Sequence, residues 1–372
     1  MTTDGFKKYV DNISKTGFCL EFETSQVLKK NGWTVINNKY YMDDQQATVR
    51  EVDLVAYRAR QVQHFLVYTT LIVSCKKSEQ NIWALLSKDV DHKDPNIDWR
   101  PLHIWSNDKA LQYMVSQASF KDKYLEEIAT VPTVKAMRTP ACHVFAFQEM
   151  NRKSGKPQND RPIFESVTSL MKAQAYELDA LHHRKKVPVV YQFNLLSVLD
   201  TELLRLHFSE ESIDAIQEQD VDYVANYIVS KRETFAKVHF IRRDALASIL
   251  PDYSCLHEAN CNVFDALCDR FYADAVSDSN KVAVFKKDFL KELLWRIRWG
   301  LRDGSKGDRT FDDTWLYWKK SPGIISIQVN ASEEEIVELN ENVDVKKKVG
   351  QLFLKYYRYQ GPFEFAVDEV PF

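Results

Sequence analysis

The stretch REVDLVAYRARQVQHFLVYTTLIVSCKK, residues 50–77, predicts two β-strands joined by a short polar turn. In the first strand the period of two places Glu51 and Asp53 on one face. The second strand, residues 65–75, is rich in β-branched and aromatic residues and nearly uncharged, which is typical of a strand buried on both faces. Pairing of the two strands brings an acid at the start of the first towards Lys76 at the end of the second. A divalent metal beside a lysine suits phosphodiester hydrolysis.

The sequence on both sides of this hairpin adds three features. Residues 17–21, GFCLE, open a predicted helix that carries Glu21 and whose apolar positions are Phe18, Phe22, Val27 and Leu28. Residues 31–33, NGW, end that helix before the next strand, because glycine is a common C-terminal stop. After the hairpin, the chain leads to an aromatic residue at Trp83.

Together with Asp53 and Lys76, these features resemble the PD-(D/E)xK nucleases, the restriction-endonuclease-like superfamily. The core of those nucleases has an acid on a helix, an Asp on one strand and an acid-x-Lys on the next. The resemblance covers residues 15–85 and extends more loosely along the α/β pattern to about residue 250. It implies an α/β fold with a restriction-endonuclease-like mixed central sheet flanked by helices.

The resemblance also implies a role for each residue of the motif. Asp53 would be the central ligand of Mg²⁺ or Mn²⁺, Glu21 would support the metal directly or through water, and the carbonyl of Cys75 would complete the protein shell. Lys76 would orient or deprotonate the attacking water and stabilise the transition state. Lys77 is less favoured, since it points to the opposite face of the strand.

Ser74 is the departure from the pattern, because it stands where the family usually has an acid. Loss of that carboxylate weakens Mg²⁺ binding unless another acid takes its place. Asp89, which lies 13 residues after Lys76, is one candidate replacement and metal ligand, and Glu79 is a nearer one.

Two of the predicted acids have a competitor close by. Glu23 cannot face the same way as Glu21, because the two are separated by only two positions on a helix, and the motif favours Glu21. Glu51 shares a face with Asp53, and the family pattern favours Asp53.

Composition sets limits on the class of protein. The chain has 372 residues, 45% hydrophobic and 28% charged, which describes an ordinary protein with room for two domains. Its net charge of -3 gives no overall attraction to nucleic acid, so any phosphate binding depends on local basic patches. The N-terminal residues are polar and no run approaches 18 apolar residues, which predicts a cytoplasmic protein without a membrane segment.

The order of predicted elements suggests two domains. Alternating helices and strands predict a nuclease domain over residues 1–250, and a helical and hairpin region of α+β character over 251–372 follows it. Residues 221–229 and 235–242 are undecided between edge strands and a helix with a strand. The other predicted elements are helices at 17–30, 107–120, 163–182, 285–302 and 346–359, and strands at 33–41, 141–148, 187–198, 315–319 and 324–329.

Two basic segments are candidate nucleic-acid contacts. One is the turn formed by Arg184, Lys185 and Lys186. The other is the helix around Trp295, where basic residues alternate with aromatics that stack on bases; the alternative is a solvated helix whose tryptophans pack inward. Its candidate contacts are Arg296, Arg298 and Arg302.

The six cysteines fit a reducing compartment, in which they serve mainly as small core residues. Cys255, His257, Cys261 and Cys268 are close enough in sequence to suggest zinc. Their spacing matches no standard zinc motif, so buried thiols are the preferred interpretation.

Two functions remain open from the sequence. The first is a Mg²⁺-dependent DNA endonuclease in restriction or anti-phage defence. The second is a catalytically weakened nuclease-fold protein that acts as a nucleic-acid-binding or complex-forming subunit, and Ser74 is the feature that favours it. The expected partner is DNA, with RNA, a homodimer and a defence-complex partner also open.

Overall fold

The computed structural model describes residues 6–43, 48–300, 314–321 and 323–368, with residues 299 and 300 described by their backbone only. The chain divides into two compact units. Unit 1 comprises Met1–Asp108 and Ala118–Phe264, and unit 2 comprises Lys109–Gln117 and Asp265–Phe372. The elements in chain order are α1 (Lys7–Ile13), α2 (Gly17–Lys30), β1 (Thr34–Asp43), β2 (Thr48–Val62), β3 (Phe65–Lys77), β4 (Asn81–Lys88), β5 (Ile104–Ser106), α3 (Lys109–Val115), α4 (Phe120–Ala129), β6 (His143–Asn151), α5 (Arg161–Arg184), β7 (Val189–Asp200), β8 (Leu203–Phe208), β9 (Ile213–Glu218), β10 (Asp220–Val229), β11 (Arg232–Arg242), α6 (Leu246–Tyr272), α7 (Ser279–Gly300), β12 (Trp315–Lys319), β13 (Ile324–Val329), α8 (Glu333–Glu341), α9 (Val343–Tyr357) and β14 (Phe363–Val367).

Unit 1 is built on a mixed sheet with the strand order β1-β2-β3-β7-β11-β10, and β5 pairs with β7. Neighbours are antiparallel from β1 to β3, parallel from β3 through β7 to β11, and antiparallel again at β10. The central strands β3 and β7 are buried along most of their length. Their apolar sequences suit this position, because a central strand is covered on both faces. The mixed α/β class predicted from the sequence is confirmed.

The hairpin predicted at residues 50–77 is confirmed as β2 and β3. The strands pair from Val62 and Phe65 at the turn to Leu54 and Val73 at the far end. Gln63 occupies the turn with a φ of 48°, a left-handed conformation that suits a short hairpin loop. The register therefore carries the predicted acid and lysine to the same end of the hairpin.

The helix predicted at residues 17–30 is confirmed as α2, but its buried face differs from the expected one. Leu20, Thr24 and Leu28 turn inward, and their spacing of four residues defines one face of a helix. Phe18 and Phe22, predicted as packing residues, are 64% and 65% exposed. That prediction is wrong because neither residue lies on the stripe of Leu20, Thr24 and Leu28 that faces the core.

A second sheet in unit 1 has the strand order β6-β4-β8-β9. Trp83 anchors it: the side chain is 1% exposed and its Nε1 donates a hydrogen bond of 3.0 Å to Glu149. The strand predicted at residues 141–148 is present as β6, although at an edge of this sheet rather than in the main one. Sequence pattern alone does not show which sheet a strand joins.

Unit 2 contains a sheet with the strand order β12-β13-β14, which confirms the predicted hairpin at residues 315–319 and 324–329. Phe289 and Leu293 of α7 and Phe353 of α9 lie in its core. The start of α8 is fixed by a capping box, in which Ser332 and Glu335 each bond to the other's backbone N–H.

Two other regions differ from the sequence prediction, and a third settles an alternative that the sequence left undecided. The helix predicted at residues 107–120 is divided into α3 and α4, because the serines at 116 and 119 favour a break. Helix α6 was not predicted, and Pro251 within it is a helix-breaking signal that the fold overrides. The undecided segments at 221–229 and 235–242 form the antiparallel pair β10 and β11. Within the part of the chain that the structure describes, no helix has the length and apolar character to cross a membrane.

The orientation of α2 can be tested by truncating one residue on each face. We expect Leu20→Ala to lower the free energy of unfolding by about 2–5 kcal/mol, because it opens a cavity in the core. Phe22→Ala should change it by only about 0.5 kcal/mol, as for exposed side chains generally. Urea unfolding measures both, and equal losses would contradict the orientation described here.

Candidate functional site

The side chains of Glu21 on α2, Asp53 on β2 and Lys76 on β3 come within electrostatic range of one another. Glu51, two residues before Asp53, acts on both of the other acids. We refer to Glu21, Glu51 and Asp53 as the acidic cluster. The predicted convergence of a helical acid, a strand Asp and a strand Lys is thus present in the fold.

The position of Asp53 follows from where the hairpin stops pairing. The backbone ladder ends at Leu54 and Val73. One residue further, the Asp53 carboxylate accepts a hydrogen bond of 2.6 Å from the backbone N–H of Cys75, and the Ser74 hydroxyl donates a second. The carboxylate therefore occupies the end of the ladder, and both hydrogen bonds hold it in place.

Burial raises the pKa of Asp53 above its usual 3.8. The Cys75 N–H and Lys76 oppose this rise without cancelling it, while Glu51 adds to it. Burial also raises the pKa of Glu21 above 4.5, and repulsion by Asp53 and Glu51 raises it further against the effect of Lys76. Negative charge in the acidic cluster therefore exceeds what Lys76 compensates.

Glu51 is held by a hydrogen bond from the Asn38 side-chain amide. Asn38 lies opposite Asp53 in β1, between the pairs Asn37 with Leu54 and Lys39 with Val52. Its φ of 53° is left-handed, a conformation that asparagine adopts more readily than most residues. This local bend places the amide beside the acidic cluster.

The acidic cluster opens into a cleft of about 230 Å³, which Glu21 and Asp53 line. Phe18 and Phe22 form part of its wall, and both rings are exposed. Ser25 also lines the cleft, and within the described part of the chain its buried hydroxyl has no hydrogen-bond partner. The cleft thus offers carboxylates, an unsatisfied hydroxyl and two accessible aromatic rings.

The fit of these groups to Mg²⁺ or Mn²⁺ depends on how many protein ligands the ion needs. Among the described residues, no three His, Cys, Asp or Glu side chains form a ready cage for a metal ion. Mg²⁺ does not require one, since it is commonly held by one or two carboxylates and keeps waters or substrate phosphates as its other ligands. Burial first, and repulsion between the carboxylates second, raise the pKa values of Glu21 and Asp53, and a bound divalent cation favours the charged forms of both. The acidic cluster therefore fits magnesium bound in that open manner.

Cys75 contributes through its backbone alone. Burial, followed by the nearby Asp53, raises the pKa of the Cys75 thiol far above its usual range, so the thiol stays protonated. A protonated thiol is not a metal ligand. Its N–H orients Asp53, whereas the predicted role concerned its carbonyl oxygen.

Lys77 and Glu23, the alternatives to Lys76 and Glu21, lie outside the acidic cluster. Lys77 donates to the carbonyl of Ser14 and lies 3.5 Å from Glu79, away from the acidic cluster. Glu23, the competitor of Glu21, pairs with Arg243 at 3.0 Å. The preference for Lys76 and Glu21 therefore agrees with the geometry.

Asp89, predicted as a metal ligand, does not join the acidic cluster. It follows β4 in the second sheet, where its side chain is 99% exposed and lies 3.4 Å from His207. Neither Asp89 nor Glu79 compensates for Ser74 in this arrangement. The additional acid beside Asp53 is Glu51, which the sequence presented only as a competitor.

The basic turn after α5 is partly engaged with other groups. Arg184 pairs with Glu177 at 2.7 Å. The Lys185 Nζ lies over the rings of Tyr68 and Tyr191. Lys186 is exposed to solvent.

On α7, Arg296 donates to the backbone of Glu292 and lies 3.4 Å from its carboxylate. Arg298 is exposed, and Arg302 lies outside the described residues. Trp295 is 59% exposed, so it does not pack inward as the alternative interpretation required.

The cysteines and histidine considered for zinc lie on α6. His257 is buried and bonds through Nδ1 to the Thr69 hydroxyl at 3.1 Å, and Cys261 lies 3.8 Å from its Nε2. Cys268 is buried and accepts a hydrogen bond from Arg358. The contacts of His257 and Cys268 connect α6 to its neighbours, and within the described ranges none of the four groups, Cys255 included, belongs to a metal-binding set.

Sequence reasoning missed three contributors to the site: Asn38, Ser25 and the exposed pair Phe18 and Phe22. The pair carries a detectable signal, because two phenylalanines one turn apart flank the motif residue Glu21. Asn38 carries none, since its importance depends on strand register.

No protein-family model, curated protein or solved structure matches this chain. The site is therefore interpreted from its own residues. They are three carboxylates, Glu21, Glu51 and Asp53, beside one lysine, Lys76.

The raised pKa values of Glu21 and Asp53 predict how these carboxyls affect the free energy of unfolding as pH changes in the absence of metal. A carboxyl whose pKa is raised by folding favours the protonated folded state, so the contribution of Glu21 and Asp53 to stability falls as pH rises from about 4 through the raised pKa values. We expect Glu21→Gln and Asp53→Asn to flatten this fall and to raise the Tm at neutral pH in EDTA. Mg²⁺ should raise the Tm of the wild type and leave that of Asp53→Asn unchanged.

Thermal unfolding between pH 3.5 and 8 measures these effects. Glu23→Gln is the matched control, because Glu23 lies outside the acidic cluster and pairs with Arg243. A difference in Tm between Asp53→Asn and the wild type that does not grow as pH rises across this range, or a Tm of Asp53→Asn that responds to Mg²⁺ as the wild type does, would contradict the prediction.

Proposed function

We propose that this protein is a Mg²⁺-dependent endonuclease that hydrolyses DNA phosphodiester bonds, with Mn²⁺ as an alternative ion and unit 1 as a restriction-endonuclease-like domain. The observation that carries the proposal is the convergence of Glu21, Asp53 and Lys76 from a helix and two strands, with both acids lining one cleft and Lys76 within electrostatic range of them. An acid-rich oxygen cluster beside a lysine is the chemistry that phosphodiester hydrolysis uses. A role in restriction or anti-phage defence, in the cytoplasm, follows as part of this proposal.

Asp53 and Glu21 are the residues that would hold the cation. When bound, the cation supplies charge neutralisation at the phosphate and lowers the pKa of a coordinated water. The Cys75 N–H and Ser74 hydroxyl keep the Asp53 carboxylate aimed at the cleft. Lys76 orients the attacking water and stabilises charge that develops on the phosphate oxygens.

Glu51 takes the part of the acid that is absent at Ser74. It lies beside Asp53 and is positioned by Asn38. If the pairing of β2 and β3 is extended beyond its last pair, Glu51 falls opposite Lys76, as Asp53 falls opposite Ser74. The Glu51 carboxylate is therefore available directly across the hairpin from Lys76.

The exposed rings of Phe18 and Phe22 suit a nucleic-acid substrate. Aromatic side chains beside a cleft stack on bases, with each contact contributing about 1–3 kcal/mol. Lys29 lines the same cleft and supplies a positive charge for a phosphate. DNA is the proposed substrate, and RNA is the alternative substrate. The proposal also includes assembly of the chain as a homodimer or with a partner in a defence complex.

A second candidate function is a catalytically weakened nuclease-fold protein that binds nucleic acid or joins a complex. Two observations favour it. Ser74 supplies no carboxylate, and the described residues contain no preformed cage of three metal ligands. The two candidates differ in whether the chain cleaves DNA.

Plasmid nicking by the purified chain in Mg²⁺ or Mn²⁺ tests the enzyme proposal. We expect Asp53→Asn to abolish nicking and Lys76→Met to lower its rate by about 10²–10⁴-fold, because the water loses its orienting group. Lys77→Met is the matched control, since Lys77 points away from the acidic cluster. A wild type that nicks nothing in either ion would favour the second candidate, and Asp53→Asn and Lys76→Met variants that nick at the wild-type rate would rule out the assigned site.

The role of Glu51 is tested by moving the acid back to the position usual in the family. We expect Glu51→Gln to lower the nicking rate strongly, and the double variant Glu51→Gln with Ser74→Glu to recover a large part of it. Asp89→Ala and Glu79→Ala should have little effect, because neither side chain joins the acidic cluster. Full activity of Glu51→Gln, or loss of activity in Asp89→Ala, would rule out this assignment.

A further inference from the structure

A second cleft in unit 1 carries the opposite charge. It has a volume of about 230 Å³ and is bordered by β1, β2, β3, β7 and the C-terminal end of α5. Lys39, Arg184 and Lys185 line it, and Glu177 is the carboxylate among its lining residues. We refer to it as the cationic cleft. Its formal charge of about +2 favours an anion of matching charge.

Two of the three cations share a single partner. Lys39 Nζ and Arg184 Nη2 each lie 2.7 Å from the same Oε2 atom of Glu177. The side chain of Glu177 is 9% exposed, and the two ion pairs hold its carboxylate between Lys39 and Arg184. One carboxylate oxygen between two cations leaves both with donor N–H groups available to a further acceptor.

Lys185 is the third cation, and none of the ion pairs among the described residues involves it. Its Nζ lies 4.9 Å from the ring centroid of Tyr68 and 5.6 Å from that of Tyr191. These two rings are stacked at 4.3 Å, so they form a rigid support for the ammonium group. Burial and repulsion by Arg184 and Lys39 lower the pKa of Lys185, which is the response of a cation lacking an anion.

An unsatisfied hydroxyl completes the wall. Thr70 lines the cationic cleft, is 3% exposed, and its Oγ1 has no hydrogen-bond partner among the residues that the structure describes. A buried polar group without a partner costs about 1–3 kcal/mol, which an oxyanion acceptor would recover. Tyr57, Tyr68 and Tyr191 add phenolic O–H groups to the same surface.

The volume accommodates more than a bare phosphate. It corresponds to about eight water volumes, taking about 30 Å³ for each. Ile36, Val55 and Phe193 give the cleft an apolar side next to its cationic one. The ligand therefore combines a doubly charged group with a ring.

We propose that the cationic cleft binds a mononucleotide through its terminal phosphate. A phosphate monoester carries a charge of about −1.5 to −2 at neutral pH, which matches the cleft, whereas a phosphodiester carries about half of that. Lys185, Arg184 and Thr70 hold the phosphate, and the apolar side receives the base. The nucleotide comes either from solution or from the 5′-phosphorylated end of a strand. The site stands apart from the proposed nuclease function, because neither the acidic cluster nor Lys76 lines it.

Isothermal titration of the full chain with AMP, GMP, CMP and UMP tests this proposal. At least one nucleotide should bind, and the matching nucleoside and inorganic phosphate should each bind at least tenfold more weakly. Lys185→Met should weaken nucleotide binding at least tenfold, and Lys185→Arg should retain most of it. Lys186→Met is the matched control, since the neighbouring Lys186 does not line the cleft and should leave binding unchanged.

Thr70→Val separates ligand binding from folding. Removal of an unpartnered buried hydroxyl should raise the Tm of the free protein, and the same change should weaken nucleotide binding. A 5′-phosphorylated dinucleotide that binds as well as the mononucleotide identifies a strand end as the source, and exclusion of the dinucleotide identifies a free nucleotide.

The proposal is overturned if no nucleotide binds at millimolar concentration to folded wild-type protein. It is also overturned if Lys185→Met binds as tightly as the wild type, or if the nucleoside or inorganic phosphate binds as tightly as the nucleotide. Circular dichroism of each variant confirms that it is folded. Plasmid nicking is measured separately, so failure of this proposal and failure of the nuclease proposal are distinguishable.

Discussion

The hydrogen bond from the Cys75 N–H to the Asp53 carboxylate is the contact on which the rest of the acidic cluster depends. It forms because the β2 and β3 ladder stops one residue short, which frees a backbone donor that a side chain can satisfy. A slip of one residue in this register would turn Asp53 and Lys76 to the wrong faces. The uncharged, fully buried centre of β3 prevents such a slip, since it fixes which residues enter the core.

The hairpin also separates two regions of opposite charge. One contains carboxylates with too little positive charge nearby, and the other contains cations with too little negative charge. Both arrangements cost stability in the free protein, because like charges are held together away from bulk water. Such costs persist at sites where a ligand offsets them. The near-neutral net charge of the chain conceals this local separation.

The features that the sequence predicted correctly are those that depend on local sequence pattern. The hairpin, the position of α2 and the convergence of Asp53 and Lys76 at one end of the hairpin all follow from periodicity and a short motif. The sequence did not predict the rotation of α2, because Phe18 and Leu20 look equally apolar until tertiary packing selects one face. Glu51 could not be distinguished from a bystander, since its role depends on Asn38 across a strand pair.

The left-handed residue Asn38 has a consequence for association between molecules. β1 is an edge strand, and a regular edge offers an unbroken row of backbone donors and acceptors to any passing strand. The bend at Asn38 interrupts that row midway and directs Asn37 towards one cleft and Lys39 towards the other. The feature that serves both clefts therefore also protects the sheet against the addition of a foreign strand, and thus against aggregation along that edge.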